Sequence, residues 1–146
     1  MGLRLALSRW LRRLAGLRLA GSSLGRRGEE VAAGYLKRQG YQILARGDRS
    51  KLGELDLVAR QGRTIVFVEV KTRQSVEAGH PAEAVSPAKQ RRLTRLAITF
   101  LKRYGLLEHP ARFDVIAVVW PEGQGEPAIE HFQDAFEAAG EGGFFS

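Results

Sequence analysis

With 146 residues, 44% hydrophobic and 27% charged, the chain has the length of one domain and the composition of a soluble globular protein with room for a core. No cysteine is present, which excludes disulfides and thiolate metal sites, leaves oxygen and histidine as metal ligands, and suits a reducing, cytoplasmic setting. The formal charge of +7 is concentrated in residues 1–27, which hold seven arginines and no acid; the remaining 16 basic and 16 acidic residues cancel, so bulk charge points to a basic arm rather than a DNA-binding body.

Within residues 1–23, Leu3, Leu7, Trp10, Leu14 and Leu17 recur at steps of four and three, the stripe of an amphipathic helix, with Arg9, Arg12 and Arg13 on the other side. These arginines interrupt the apolar run that a secretory signal or a transmembrane span needs. Three uses stay open for this basic arm: a helix packed on the body or a second subunit, a phosphate-contacting arm, or a membrane-surface helix. Gly21-Ser22-Ser23 forms a hinge or cap before the next element.

The spacing predicts a helix over 24–39, with Val31, Ala32, Tyr35 and Leu36 on its apolar face and Gly40 closing it. Gly25 and Gly28 share that face and cost helix propensity, so close packing of this turn on a sheet is the expected compensation. Glu29 lies about 90° from the centre of the apolar face, and Glu30 points almost directly away. Two roles are open for Glu29: an acid at the edge of a buried site, or a first-turn acid favouring the helix dipole.

Tyr41 to Arg46 reads as a short strand, followed by a Gly47–Ser50 loop in which Asp48 is a turn residue. Gly53 to Arg73 then reads as two strands around Gln61-Gly62, and three consecutive strands with short links favour an antiparallel meander. A two-residue loop at Gln61-Gly62 sets Glu54 opposite Glu69; a loop two residues longer sets Asp56 opposite Glu69 and Glu54 opposite Lys71. Either way Glu54, Asp56, Glu69 and Lys71 share one face, because side chains alternate with period two. Like charges across a ladder repel, and isolated charges are seldom buried. Asp56, Glu69, the Val70 carbonyl and waters would suit an oxygen-ligated magnesium, which would neutralise the cluster.

Gln74 to Ser86 is long enough for a flap, and its His80 is read as incidental. Ser86-Pro87 starts a second helix with Leu93, Leu96, Ala97, Phe100, Leu101 and Tyr104 as its stripe and Gly105 as its end. Its charged side is either a solvated face or a set of phosphate contacts, the latter strongest for Lys89 and Arg92, with Arg73 at the end of the hairpin. The almost unbroken apolar run Phe113–Val119 suits a strand covered on both faces, parallel to strand 64–71 through the helical crossover, with Asp114 a strand-end or structural residue. Ala128 to Phe132 is a candidate edge strand, and the end from Gly140 is expected to fray.

An aspartate, Asp56 in GELDLV, stands twelve residues before Glu69-x-Lys71 in VFVEVKTR, and this pairing resembles the metal-binding core of the PD-(D/E)xK, restriction-endonuclease-like superfamily. More closely, the run from about Leu24 to Val119, with Gly25-x-x-Gly28-Glu29, Lys89 and Arg92-Leu93, is similar to the YraN-like bacterial family, predicted to be nuclease-related. Leu55 stands where the motif's loosest position carries proline. The resemblance implies an α/β fold with an αβββαβ core, a mixed central sheet flanked by helices, in a domain at 24–134 between the arm and a flexible tail at 135–146. It also implies that Glu29, from the first helix, joins Asp56, Glu69 and Val70 as a metal ligand.

The expected function is hydrolysis of DNA phosphodiester bonds with magnesium or manganese, at branched or damaged structures. Asp56, Glu69 and Lys71 would be catalytic, and Arg73, Lys89 and Arg92 would contact phosphates. A homodimer follows by analogy with junction-resolving relatives. The rival expectations are a non-catalytic nucleic-acid-binding module with the same fold, and a membrane-peripheral or partner-docking protein acting through its arm.

Overall fold

A computed structural model describes residues 24–73, 85–121 and 125–139. The arm at 1–23, His80 and the end from Gly140 lie outside the described residues. The elements run α1 (Leu24–Arg38), β1 (Gln42–Ser50), β2 (Gly53–Gln61), β3 (Thr64–Arg73), α2 (Pro87–Arg103), β4 (Ala111–Val119) and β5 (Ala128–Phe136). The five strands lie in one sheet in chain order. β3 and β4 pair parallel, and all other neighbours pair antiparallel. The mixed sheet with two helices is consistent with a restriction-endonuclease-like core.

Alternation along β3 explains how one strand serves two cores. Val66 and Val68 pack with Ala32, Ala33 and Leu36 of α1, while Ile65 and Phe67 pack with Leu93, Leu96, Phe100 and Leu101 of α2. The apolar runs of β3 and β4 are therefore sandwiched between helices, as a buried parallel pair requires. α2 starts where expected: Ser86 caps it by accepting a hydrogen bond from Lys89 N, and Pro87 occupies its first turn. Among the described residues, no helix is long and apolar enough to cross a membrane.

Two local expectations need correction. Asp48 is a strand residue of β1 rather than a turn residue: it pairs with Leu55, Arg49 pairs with Glu54, and Asp48 Oδ1 lies 3.7 Å from Arg103 at the end of α2. The opening residues of β2 offer backbone partners, so pairing carries the strand through a polar stretch that local propensity would leave as a loop. The β2–β3 loop is Gly62-Arg63, one residue beyond the expected turn, with Gln61 paired to Thr64 and Gly62 at φ +60°. A type II′ turn takes glycine at this first loop position. Continued past the last pair, Leu57–Val68, this register sets Asp56 across from Glu69 rather than Glu54.

β5 continues past Phe132 to Phe136, whose ring stacks on Phe113 at 4.7 Å between centroids. Beside it, Asp114 is a buried structural residue. It accepts from Arg112 Nε (2.9 Å), from the Asp134 backbone N–H (2.9 Å), and is 2.7 Å from His131 Nε2. Burial pushes the Asp114 carboxyl up, but these bonds more than offset it and hold the group below the usual aspartate value. His131 Nδ1 in turn meets the Tyr35 hydroxyl at 3.2 Å, which ties α1 to the sheet edge.

Candidate metal centre and catalytic cleft

Gly28 decides how closely α1 approaches the sheet. A Cβ built there would lie 1.9 Å from Thr72 Oγ1 and 3.0 Å from Thr72 Cβ, so only glycine allows the first turn of α1 to rest on β3. That approach delivers the next residue, Glu29, to the end of β2. Carboxylate oxygens of Glu29, Glu54 and Asp56 all lie within 4.8 Å of one another. They line a cleft of about 350 Å³ together with Glu69, Lys89 and Arg92. Glu30, by contrast, is exposed, as its helical position predicted.

Each acid is held differently. The Asp56 side chain replaces the missing ladder bond beyond Leu57–Val68: its Oδ2 accepts from Val70 N at 2.9 Å. Glu54 pairs with Arg49 at 3.1 Å on the exposed side. Glu69 is buried, 7% exposed, and its Oε1 faces two ammonium groups, Lys89 Nζ at 2.5 Å and Lys71 Nζ at 3.5 Å.

The electrostatics follow from crowding like charges in a partly dry cleft. Burial, then the charges of Asp56, Glu54 and Glu69, push the Glu29 carboxyl up to about 8. Burial and the charge of Glu69 push Asp56 up to about 7, against the lowering effect of the Val70 N–H. Burial, with the neighbouring Lys89 charge, lowers the Lys71 pKa even though Glu69 opposes the shift. Burial also acts to lower Lys89, but its hydrogen bond to Glu69 and the surrounding negative charge leave it raised. Divalent-cation binding would relieve the repulsion among the acids, and their hard oxygen donors match magnesium or manganese.

The site residues expected from the sequence do not all converge. Glu29, Asp56, Glu69 and Lys71 do, and Val70 is fixed beside them through its N–H. Lys89 lies against Glu69 and lines the cleft with the acids. Arg92 lines the same cleft next to Gly53. Arg73 is the last residue of β3, four beyond Glu69, pairs with Val119 and is not among the residues lining this cleft. Glu54, for which the sequence implies a shared face but no ligand role, joins Glu29 and Asp56; its i, i+2 relation to Asp56 is the sequence signal for this. Nothing in linear spacing marks His131 as the partner of Asp114.

A family model described as "Uncharacterised protein family UPF0102" matches residues 28–118, which include every acid and lysine of the cleft. A UPF0102 protein of Geotalea uraniireducens is 50% identical over 117 residues, covering 80% of this chain and 91% of the relative. One of Syntrophotalea carbinolica is 51% identical over 119 residues (81% and 94%), and one of Rhodopirellula baltica is 46% identical over 127 residues (85% and 76%). With most of its described fold matched by the family model and about half of the aligned residues identical in these relatives, the chain belongs to the UPF0102 family, in agreement with its YraN-like sequence features.

Proposed function

We propose that this protein is a divalent-cation-dependent endonuclease acting on DNA. The observation that carries the reading is the convergence of Glu29, Glu54, Asp56 and Glu69 with Lys71 and Lys89 in one open cleft. Glu29, Glu54 and Asp56 would hold magnesium or manganese, with Glu69 and the Val70 carbonyl as the further donors expected from the sequence. When bound, the cation supplies Lewis-acid stabilisation of the phosphate and a more acidic water. The depressed pKa of Lys71 makes its neutral form more accessible, so Lys71 can take a proton from the attacking water or donate to the phosphate. Arg92, on the rim, offers a guanidinium to a phosphate of the bound strand. Nothing in this constellation reads a base, so recognition would rest on backbone shape, with branched or damaged DNA as the substrate class. A cytoplasmic location and a homodimer accompany this reading.

The test is cleavage of linear, flapped and four-way DNA with magnesium or manganese, beside the Asp56→Ala variant. Cleavage that requires the cation and disappears in the variant is the expected result. Equal cutting by parent and variant would exclude this cleft as the source.

A further inference from the structure

Glu69 is the acid expected to complete the metal site, and its Oε1 faces two ammonium groups, those of Lys89 and Lys71. We propose that Lys89 competes with a divalent ion for Glu69: its ammonium sits on the Glu69 carboxylate, and an arriving ion displaces it. This inference rests on the metal-dependent reading of the cleft and assigns Lys89 a positioning role within it.

Three observations carry the proposal. First, the backbone under Lys89 is fixed. Lys89 N donates to the capping Ser86 Oγ, and the next residue, Gln90, donates through Nε2 to the Val85 carbonyl. The side chain therefore leaves a rigid first turn of α2 and reaches across to β3. Second, Glu69 is buried and Lys89 is 30% exposed at its side chain. The carboxylate has little freedom to move, whereas the flexible lysine has open cleft beside it. Third, Lys71 also faces Glu69 Oε1, so two ammonium groups serve one carboxylate while three other acids converge nearby. The local charge is unevenly matched, and a small mobile dication placed among the four acids would even it.

A dication and an ammonium compete for the same carboxylate oxygen, so one must weaken the other. Once released, Lys89 remains tethered at the cleft wall, three residues before Arg92 on α2. Positions i and i+3 on a helix are neighbours, so the two side chains can meet one phosphate. Metal binding would thus hand a buried counter-charge over to the substrate, coupling cation loading to DNA affinity.

The test uses the full-length protein and magnesium alone, followed by calorimetry. Lys89→Met should bind magnesium about tenfold tighter than the parent, because the competitor is gone. Lys89→Arg, which keeps a charged donor for Glu69, should gain no affinity. Arg92→Met removes the same charge from the same cleft without touching Glu69, and should change magnesium affinity by less than threefold. In the parent, the Lys89 Nζ resonance should shift on magnesium titration in step with the heat of binding.

Lys89→Met binding no tighter than the parent, or a Lys89 resonance that ignores magnesium, would overturn the proposal. An equal gain from Arg92→Met would also overturn it, by making the effect one of general charge. Absence of magnesium binding in both the parent and Lys89→Met would instead sink the metal-dependent reading itself, and with it this inference.

Discussion

Replacing Gly28 with alanine tests the link between packing and site most directly. The new Cβ would meet Thr72 Oγ1 at 1.9 Å, Thr72 Cβ at 3.0 Å and Thr72 Cγ2 at 3.1 Å. Rotating the threonine moves its Oγ1 but cannot relieve the contact with its own Cβ, so α1 must lift from β3. Overpacking of this kind costs roughly 1–3 kcal/mol, and the overlap here favours the upper end. Alanine returns about 1 kcal/mol of helix propensity. The net expectation is destabilisation by about 1–2 kcal/mol, a fall of roughly 2–8 °C in Tm for a domain of this size. Lifting α1 also draws Glu29 from Asp56, so magnesium affinity should fall with stability. Thr72→Ala removes the overlapping Oγ1, a buried atom with no hydrogen-bond partner among the described residues, and the Cγ2. The double variant should therefore be less destabilised than the two single changes summed, by about 1 kcal/mol. Urea midpoints by circular dichroism, with calorimetric magnesium titration, measure both effects. A Gly28→Ala protein with a raised midpoint, as an uncrowded helix position would give, would refute the close approach.

Four further expectations follow from the charged clusters. Glu29 and Asp56 have native pKa values of about 8 and about 7 against 4.5 and 3.8, so the native state binds more protons than the unfolded chain between those limits. The stability they contribute is full below about 4 and is lost as pH rises through 7 and 8. For Asp56 the span caps this at roughly 4 kcal/mol, and solvent in the open cleft reduces it to about 2 kcal/mol. Urea midpoints in a chelator should accordingly fall between pH 5 and pH 8.5, and magnesium should recover the loss at the higher pH with release of protons. Asp114→Ala removes the carboxylate shared by the Arg112 guanidinium and His131 and leaves the buried side of Arg112 without its counter-charge, which should cost about 3 kcal/mol in urea unfolding. In the parent, the lowered Asp114 pKa means its contribution is present above 3.8 and lost as pH falls below that value, which acid titration followed by near-ultraviolet dichroism can read. Asp56→Ala should reduce cleavage about a hundredfold or more, the scale expected when several kcal/mol of cation-borne stabilisation is removed.

Local chemistry by itself determined the elements and much of their order. Period-two alternation with β-branched residues marks β2 and β3, the leucine and aromatic stripe with Ser86-Pro87 marks α2, and the apolar run Phe113–Val119 marks a strand buried on both faces. The spacing of Asp56, Glu69 and Lys71 on paired strands was likewise legible, because register rules hold within a hairpin. Tertiary structure alone decided the rest. Asp48 became a strand residue because β2 supplied its backbone partner. Lys89 left the solvated face it shares in helical projection because α2's first turn docks beside Glu69, a contact spanning 20 residues of chain. Asp114 found its counter-charges in Arg112 and in His131, a residue of β5. Sequence periodicity states which way a side chain leaves its own element; which charge waits there is fixed only when elements pack, since desolvation makes the pairing of buried groups a property of the assembled fold.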